Sequence, residues 1–108
     1  MDLQGRRIIV TGCARGMGAA TVAAYLRAGA RVAGMDVNQD DGHAAVDAAR
    51  SAHGGEAQFL PVDVADPTSV ETAFDHAVST LGGLDVLAHP AAIQRPGDAS
   101  SVTASDWD

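Results

Sequence analysis

The chain has 108 residues, of which 46% are hydrophobic, and its formal net charge is −7. This length limits it to one domain, and the apolar content favours a folded, globular chain over a disordered one. The acidic balance argues against nucleic acids and membranes as partners, because binding to nucleic acid or to an anionic bilayer needs a basic surface.

All seven basic residues are arginine, and the absence of lysine excludes a phosphate-binding loop that ends in Gly-Lys-Ser/Thr. The residues after Met1 lack the features of a secretory signal, and no apolar run is long enough to cross a bilayer. The single cysteine, Cys13, excludes an internal disulfide, which fits a reducing compartment. We therefore expect a cytoplasmic protein.

Strands and helices alternate along the chain. Strands are predicted from apolar, β-branched runs, and helices from alanine-rich or amphipathic segments that end at glycine. In chain order these are a strand at 7–11, a helix at 17–28, a strand at 31–35, a helix at 40–52, a strand at 57–62, a helix that begins at Asp66-Pro67, and a strand at 84–88. The pattern of residues 103–106 is typical of a capping box and predicts the start of a further helix.

This alternation predicts crossover connections and a parallel sheet. No repeat or linker divides the chain, so residues 1–108 are interpreted as a single α/β domain. With right-handed crossovers we expect a doubly wound sheet of about four strands in the order 3-2-1-4, with helices on both faces.

A glycine-rich loop, residues 11–18, lies between the first strand and the first helix. Gly12 would permit a tight turn, Gly16 would let a pyrophosphate approach the backbone, and Gly18 would let the helix pack against the sheet. The helix that begins at Met17 would offer free N–H groups and its positive dipole end to the phosphates. This context is typical of a Rossmann-type dinucleotide site, although a glycine-rich turn without a ligand remains an alternative.

The residue that ends the second strand, Asp36, follows Gly12 by 24 residues. A carboxylate there can accept hydrogen bonds from the ribose hydroxyls of an adenine dinucleotide and would repel a 2′-phosphate, which favours NAD over NADP. Arg15 favours NADP instead, since it could contact a 2′-phosphate. Alternatively, Asp36 is an ordinary loop acid in a stretch that also contains Asp40-Asp41.

The motif-bearing segments, in chain order, are Thr11-Gly12-x-x-x-Gly16-x-Gly18, Asp36, Asp63-Val64, Leu84-Asp85-Val86-Leu87 leading to Ala91, and Asp106-Trp107-Asp108. Together they resemble the short-chain dehydrogenase/reductase family over nearly the whole chain. The resemblance implies that Asp63 hydrogen-bonds the adenine amino group, that the Val64 backbone lines the adenine pocket, and that Ala91 lies along the cofactor's ribose. In a competing interpretation Asp63 only caps the turn before Asp66.

The chain departs from the family pattern after the fourth strand. Where the family has Asn-Asn-Ala-Gly, this chain has His89-Pro90-Ala91-Ala92, which replaces two amides and removes a backbone donor. These changes affect the geometry expected on the nicotinamide side, whereas the adenine half matches the family.

The family's proton-transfer residues are not found in these 108 residues. The resemblance implies a Ser and a Tyr-x-x-x-Lys pair in later segments, but Tyr25 is the only tyrosine here and Gly29 stands four residues after it. Without a lysine, the positive charge that would lower the pKa of a catalytic tyrosine is absent. We therefore assign no catalytic residue and expect the chain to be the cofactor-binding half, truncated before the catalytic segment.

The remaining candidates for chemistry are weak. His43, His53, His76 and His89 do not have zinc-ligand spacing, so no metal site is predicted. Cys13 lies near a helix N-terminus, which could lower its pKa, but a small, unreactive loop residue is the favoured interpretation.

The leading hypothesis is an NAD-dependent oxidoreductase of the short-chain type, which transfers hydride between the nicotinamide ring and a small alcohol or ketone. The full-length form would supply the substrate pocket and an interface for a homo-oligomer. The alternative is a non-catalytic dinucleotide-binding or interaction module from a truncated gene.

Overall fold

The computed structural model describes residues 3–14 and 16–89. These residues form four strands and three helices in strict alternation. In chain order they are β1 (Arg7–Thr11), α1 (Met17–Arg27), β2 (Arg31–Asp36), α2 (Gln39–His53), β3 (Ala57–Pro61), α3 (Pro67–Leu81) and β4 (Val86–Ala88).

The strands form one parallel sheet in the order β3-β2-β1-β4, which confirms the predicted topology. Thr11 at the end of β1 is level with Met35 of β2, and Asp36 is level with Pro61 of β3. The carboxyl ends of these strands therefore lie along one edge of the sheet. The loops that follow β1, β2 and β3 start side by side at this edge.

Helices cover both faces of the sheet, as expected. In β1 the side chains of Ile8 and Val10 pack with α1 and α2, whereas Ile9 packs on the opposite face with α3. This alternation follows from the two-residue period of a strand. Because both faces of β1 and β2 are buried, the two strands are apolar throughout their centres.

The predicted boundaries agree with the structure to within two residues. The fourth strand shows the largest difference, since pairing begins at Val86 rather than Leu84. Asp85 is instead held by Arg7, whose backbone and guanidinium nitrogens donate to its carboxylate at 2.9–3.1 Å. A contact over 78 positions of sequence thus lies at the start of the strand, which apolar character alone would begin earlier.

Three predictions fall on residues outside the described part of the chain. These are Arg15, the capping box at 103–106 and the segment that contains Ala91. Within residues 3–14 and 16–89, no helix is both long enough and apolar enough to cross a membrane.

Candidate functional site

The glycine loop leaves β1 by two backbone turns that favour glycine. Gly12 has φ +69° and Gly16 has φ +63°, and both are exposed. L-residues with a side chain rarely adopt this left-handed conformation. At these two positions any other residue would strain the backbone of the loop.

Gly18, in the first turn of α1, allows the closest backbone contact of the loop. A Cβ atom at this position would lie 1.7 Å from the carbonyl oxygen of Gly12. The sequence predicted that Gly18 lets the helix approach the sheet. At this position the helix lies against the loop itself, just beyond β1, and the absence of a Cβ allows the two ends of the loop to come together.

The amino end of α1 is built differently from the other two helices in the described chain. The Asn38 side chain caps α2, and Asp66 caps α3. α1 follows Gly16 and has no side-chain cap; like α3, it has no acidic residue in its first turn. Its first N–H groups and positive dipole end are therefore left for an anion, and the space beside Gly16 is open to 4 Å.

The first half of the glycine loop is attached to the end of β2. The Cys13 N–H donates to the Met35 carbonyl at 3.1 Å, and the Ala14 N–H donates to Oδ2 of Asp36 at 3.0 Å. The other carboxylate oxygen of Asp36 accepts from the Asn38 N–H at 2.9 Å. Asp36 thus has a structural role, and each of its oxygens keeps a second lone pair for a ligand hydroxyl.

Cys13 is fully buried beneath the loop and belongs to the core between the sheet and helices α1 and α2. Burial, together with a smaller effect of the nearby charge of Asp36, raises the pKa of its thiol to about 12. The idea that a helix N-terminus lowers this pKa is therefore wrong. Cys13 is a packing residue.

Beside the loop lies an apolar cleft of about 210 Å³. Its lining residues come from the ends of all four strands and the turns after them: Thr11, Gly12, Met35, Asp36, Val37, Val62, Val64 and His89. Three of the predicted site residues, Gly12, Asp36 and Val64, thus meet in one cleft. An elongated ligand could place a flat apolar group between the valines and its hydroxyls at Asp36.

Val37 was missed by the sequence analysis. It is 67% exposed, and Val64 is 79% exposed, although both are aliphatic. The available signal was an apolar residue directly after the acid that ends β2, where a turn residue is usually polar. Exposed valines on two sides of a cleft provide the contact area that an aromatic ring needs.

Asp63 lies next to this cleft rather than in it. It lines a neighbouring hollow that shares Val37 and Val62 with the cleft. Its Oδ1 accepts the Ala65 N–H at 3.0 Å, and its own N–H donates to the Ser69 hydroxyl at 2.9 Å. The turn-capping interpretation of Asp63 is therefore realised, while the carboxylate stays exposed.

The end of β4 brings His89 to the opposite side of the cleft. Its Nδ1 contacts the hydroxyl of Thr11, which is itself buried at the end of β1. The imidazole thus joins the carboxyl ends of β1 and β4, which are paired strands. Met17 is exposed at the start of α1, whereas Arg15 and Ala91 lie outside the described residues.

This sheet order and the cleft at its carboxyl edge define a partial Rossmann-type α/β fold. The family model of the short chain dehydrogenases matches residues 6–108. The chain therefore belongs to the short-chain dehydrogenase family, as the sequence resemblance implied.

Curated relatives include proteins named as dehydrogenases of small hydroxylated compounds. The chain is 38% identical over 106 residues to D-threitol dehydrogenase of Mycolicibacterium smegmatis. The match covers 98% of this chain and 40% of that protein. It is 36% identical over 107 residues to a probable galactose dehydrogenase of Rhizobium meliloti, with 99% and 42% covered. The chain thus spans about two fifths of the length of these relatives.

Solved structures show the same fold. A hydroxysteroid dehydrogenase from Escherichia coli matches with a TM-score of 0.75 and 31% identity, over 80% of this chain and 35% of that one. An NAD⁺-bound xylitol dehydrogenase matches with a TM-score of 0.76 and 28% identity, over 81% and 33%. The family is one that uses a nicotinamide cofactor.

Proposed function

We propose that this chain is the NAD-binding domain of a short-chain dehydrogenase that interconverts a small alcohol and its ketone. The observation that carries the proposal is the position of Asp36. Its carboxylate lies in the cleft at the carboxyl ends of the strands, next to the glycine loop. A negative charge there accepts ribose hydroxyls and repels a 2′-phosphate.

The other residues of the site would bind different parts of the cofactor. Gly12, Gly16, Met17 and Gly18 would hold the pyrophosphate through backbone N–H groups and the uncapped end of α1. Val37 and Val64 would enclose the adenine ring, with the exposed carboxylate of Asp63 beside its amino group. The residues present therefore fit a dinucleotide.

When bound, the nicotinamide ring supplies the hydride chemistry, and the protein supplies binding and orientation. Arg15 remains a proposed cofactor contact from its position inside the glycine loop, and Ala91 remains one through the family resemblance. His89, with its contact to Thr11, holds the ends of β1 and β4 on the side of the cleft away from β3.

The test of cofactor preference is a titration of the purified protein with NADH and with NADPH, followed by the fluorescence of the reduced nicotinamide. We expect NADH to bind at least roughly tenfold more tightly, a difference of ~1.4 kcal/mol. Asp75→Asn, which removes an exposed carboxylate from α3, is the control and should leave both affinities unchanged. Equal affinities for the two cofactors would contradict the role of Asp36.

We further propose that residues 1–108 form a single cofactor-binding domain without proton-transfer residues of its own. The sequence holds no lysine, and its one tyrosine, Tyr25, packs against the core beneath α1. Relatives named for threitol, galactose and xylitol make polyols and sugars the first substrates to assay. We expect the 108-residue chain to bind NADH and to reduce no NAD⁺ with these compounds.

The alternative function is a dinucleotide-binding module that is never catalytic. The module would have the same dinucleotide site as the dehydrogenase, and the two differ only in whether the rest of the protein carries catalytic residues. A reading frame that continues beyond Asp108 into a segment with Ser and Tyr-x-x-x-Lys would support the dehydrogenase. A stop codon there, with a stably expressed product that binds NADH, would favour the module.

A further inference from the structure

We propose that Asp36 is a positioning residue for the glycine loop in addition to being a ligand of the ribose. In this role its carboxylate holds the Ala14 N–H and keeps the loop in the conformation that cradles the pyrophosphate. The inference rests on the proposed function and extends it, because one side chain would then control the affinity for the whole dinucleotide.

Three consecutive residues of β2 contact two consecutive residues of the loop. Gly34 leaves room for the Cys13 side chain, since a Cβ there would lie 2.9 Å from its sulfur. The Met35 carbonyl accepts the Cys13 N–H, and the Asp36 carboxylate accepts the Ala14 N–H. The end of β2 therefore acts as a template for the first half of the loop.

The bond from Ala14 depends on the charge of its acceptor. Ala14 is 7% exposed, so its N–H has little access to water. Within the described residues, the only acceptor it reaches is Oδ2 of Asp36. A hydrogen bond to an ionised group is stronger than a neutral one, and a buried donor that loses its partner carries a desolvation penalty.

This arrangement predicts how cofactor affinity responds to substitution. If Asp36 acted on the ribose alone, its replacement would weaken NADH binding and leave NADPH binding equal or improved. If it also holds the loop, replacement weakens the binding of both cofactors, because both carry the same pyrophosphate. The preference between the two cofactors would then change only through the ribose contact, while the affinity for both cofactors falls.

Cys13 offers a reporter of loop docking that needs no cofactor. It is the single cysteine of the 108 residues and has no exposed surface, so a thiol reagent can reach it only when the loop opens. Because the charge of Asp36 also raises the pKa of Cys13, the rates are compared per thiolate, from a pH profile of each variant. On that scale we expect the cofactor-free Asp36→Asn variant to react with a disulfide reagent roughly tenfold faster or more, the change expected from loss of a charge-assisted hydrogen bond. Asp36→Ala, which removes both acceptors, should react faster still.

Two controls separate loop opening from a general loss of stability. Asp75→Asn removes an exposed carboxylate that is remote from the loop and should react at the rate of the unsubstituted protein. Leu81→Ala truncates a buried residue of the opposite core and should lower global stability without exposing Cys13 locally. Urea unfolding of each variant, followed by circular dichroism, provides the scale for comparison.

The inference is supported if Asp36→Asn reacts faster than Leu81→Ala at an equal loss of global stability and binds both NADH and NADPH more weakly. It is overturned if the reaction rate of Asp36→Asn only follows its global stability, or if NADPH binding stays the same or improves. Faster reaction in a protein that binds neither cofactor would confirm the docking contact and contradict the proposed function instead.

Discussion

At the scale of single residues, the conformation of the glycine loop depends on positions that have no side chain. Gly16 and Gly18 are two positions apart, yet they contribute in different ways. Gly16 adopts a left-handed backbone with open space around it, whereas Gly18 has an ordinary backbone and no room for a Cβ. A substitution at Gly18 therefore changes the fit between loop and helix, and a substitution at Gly16 strains the backbone.

Gly18→Ala should move the loop away from α1, because the new Cβ would lie 1.7 Å from the Gly12 oxygen. We expect the free energy of unfolding to fall by about 1–3 kcal/mol, the usual effect of overpacking. NADH binding should weaken as well. Urea unfolding and NADH titration measure the two effects. Ala20→Ser, on the exposed side of the same helix, is the control, and an unchanged affinity in Gly18→Ala would contradict the contact.

Val64→Ser tests whether the exposed valines enclose the adenine ring. The substitution removes apolar contact area from a residue that is 79% exposed in the free protein, so stability should change little. We expect the affinity for NADH to fall about fivefold, the equivalent of ~1 kcal/mol of lost apolar burial. Isothermal titration calorimetry with NADH and with nicotinamide mononucleotide, which lacks adenine, gives the comparison. A loss of the same size for both ligands would exclude an adenine contact.

At the scale of elements, one ion pair adds to the backbone pairing of β1 with β4. Arg7 donates from its backbone and its guanidinium to Asp85, and a further guanidinium nitrogen donates to the Gly82 carbonyl. This contact connects the amino end of β1 to the turn that follows α3. It also determines where β4 begins, because Asp85 is held at the turn.

Asp85→Asn should remove a pH-dependent part of this connection. The hydrogen bonds from Arg7 hold the pKa of Asp85 at about 2, below its usual value of 3.8. A lowered pKa in the folded state contributes stability above pH ~4, and this contribution is lost as the pH falls through about 2. The Tm of Asp85→Asn should therefore lie below that of the unsubstituted protein at pH 7, and the difference should shrink between pH 4 and pH 2.

Thermal melts of both proteins across this range measure the effect. Asp75→Asn, on the exposed surface of α3, serves as the matched control for loss of a carboxylate. A Tm difference for Asp85→Asn that stays constant from pH 7 to pH 2 would show that the carboxylate charge has no part in joining the strands.

At the scale of the whole molecule, the sheet is covered unevenly. β1 and β2 are buried on both faces, whereas Leu84 and Val86 around the start of β4 are 39% and 38% exposed. Among the described residues, β4 pairs with β1 on one side and with no strand on the other. Unpaired strand edges with apolar side chains promote association.

We therefore expect the purified 108-residue chain to associate as its concentration rises. Val86→Thr keeps a β-branched side chain at this position and reduces its apolar surface, so it should shift the distribution toward monomer. Sedimentation velocity at several concentrations gives the measurement, with Val37→Thr as a control on an exposed valine away from β4. A monomer at all concentrations would contradict the expectation.

Much of the fold follows from local sequence. Asp66-Pro67 specified the start of α3, and the apolar β-branched run at 7–11 specified β1, because capping and burial patterns act over a few residues. The start of β4 could not be placed in this way. It depends on Arg7, which is far away in sequence and adjacent only after the sheet has formed.

Some features of the candidate site were likewise predictable from the sequence, and others were not. The positions of Gly12, Gly16, Gly18 and Asp36 in the chain, together with the family resemblance, were enough to predict a dinucleotide loop and its neighbouring acid. The exposed position of Val37 and the burial of Cys13 were not predictable, because each depends on how the ends of neighbouring strands meet.

Strand order, helix positions and the class of cofactor were therefore contained in the sequence, since hydrophobic period, caps and glycine spacing are local signals. Only the tertiary structure could assign the Ala14 N–H to the carboxylate of Asp36. That contact joins loop and strand across 22 positions of sequence, and parallel pairing of β1 with β2 is what brings them within hydrogen-bonding distance.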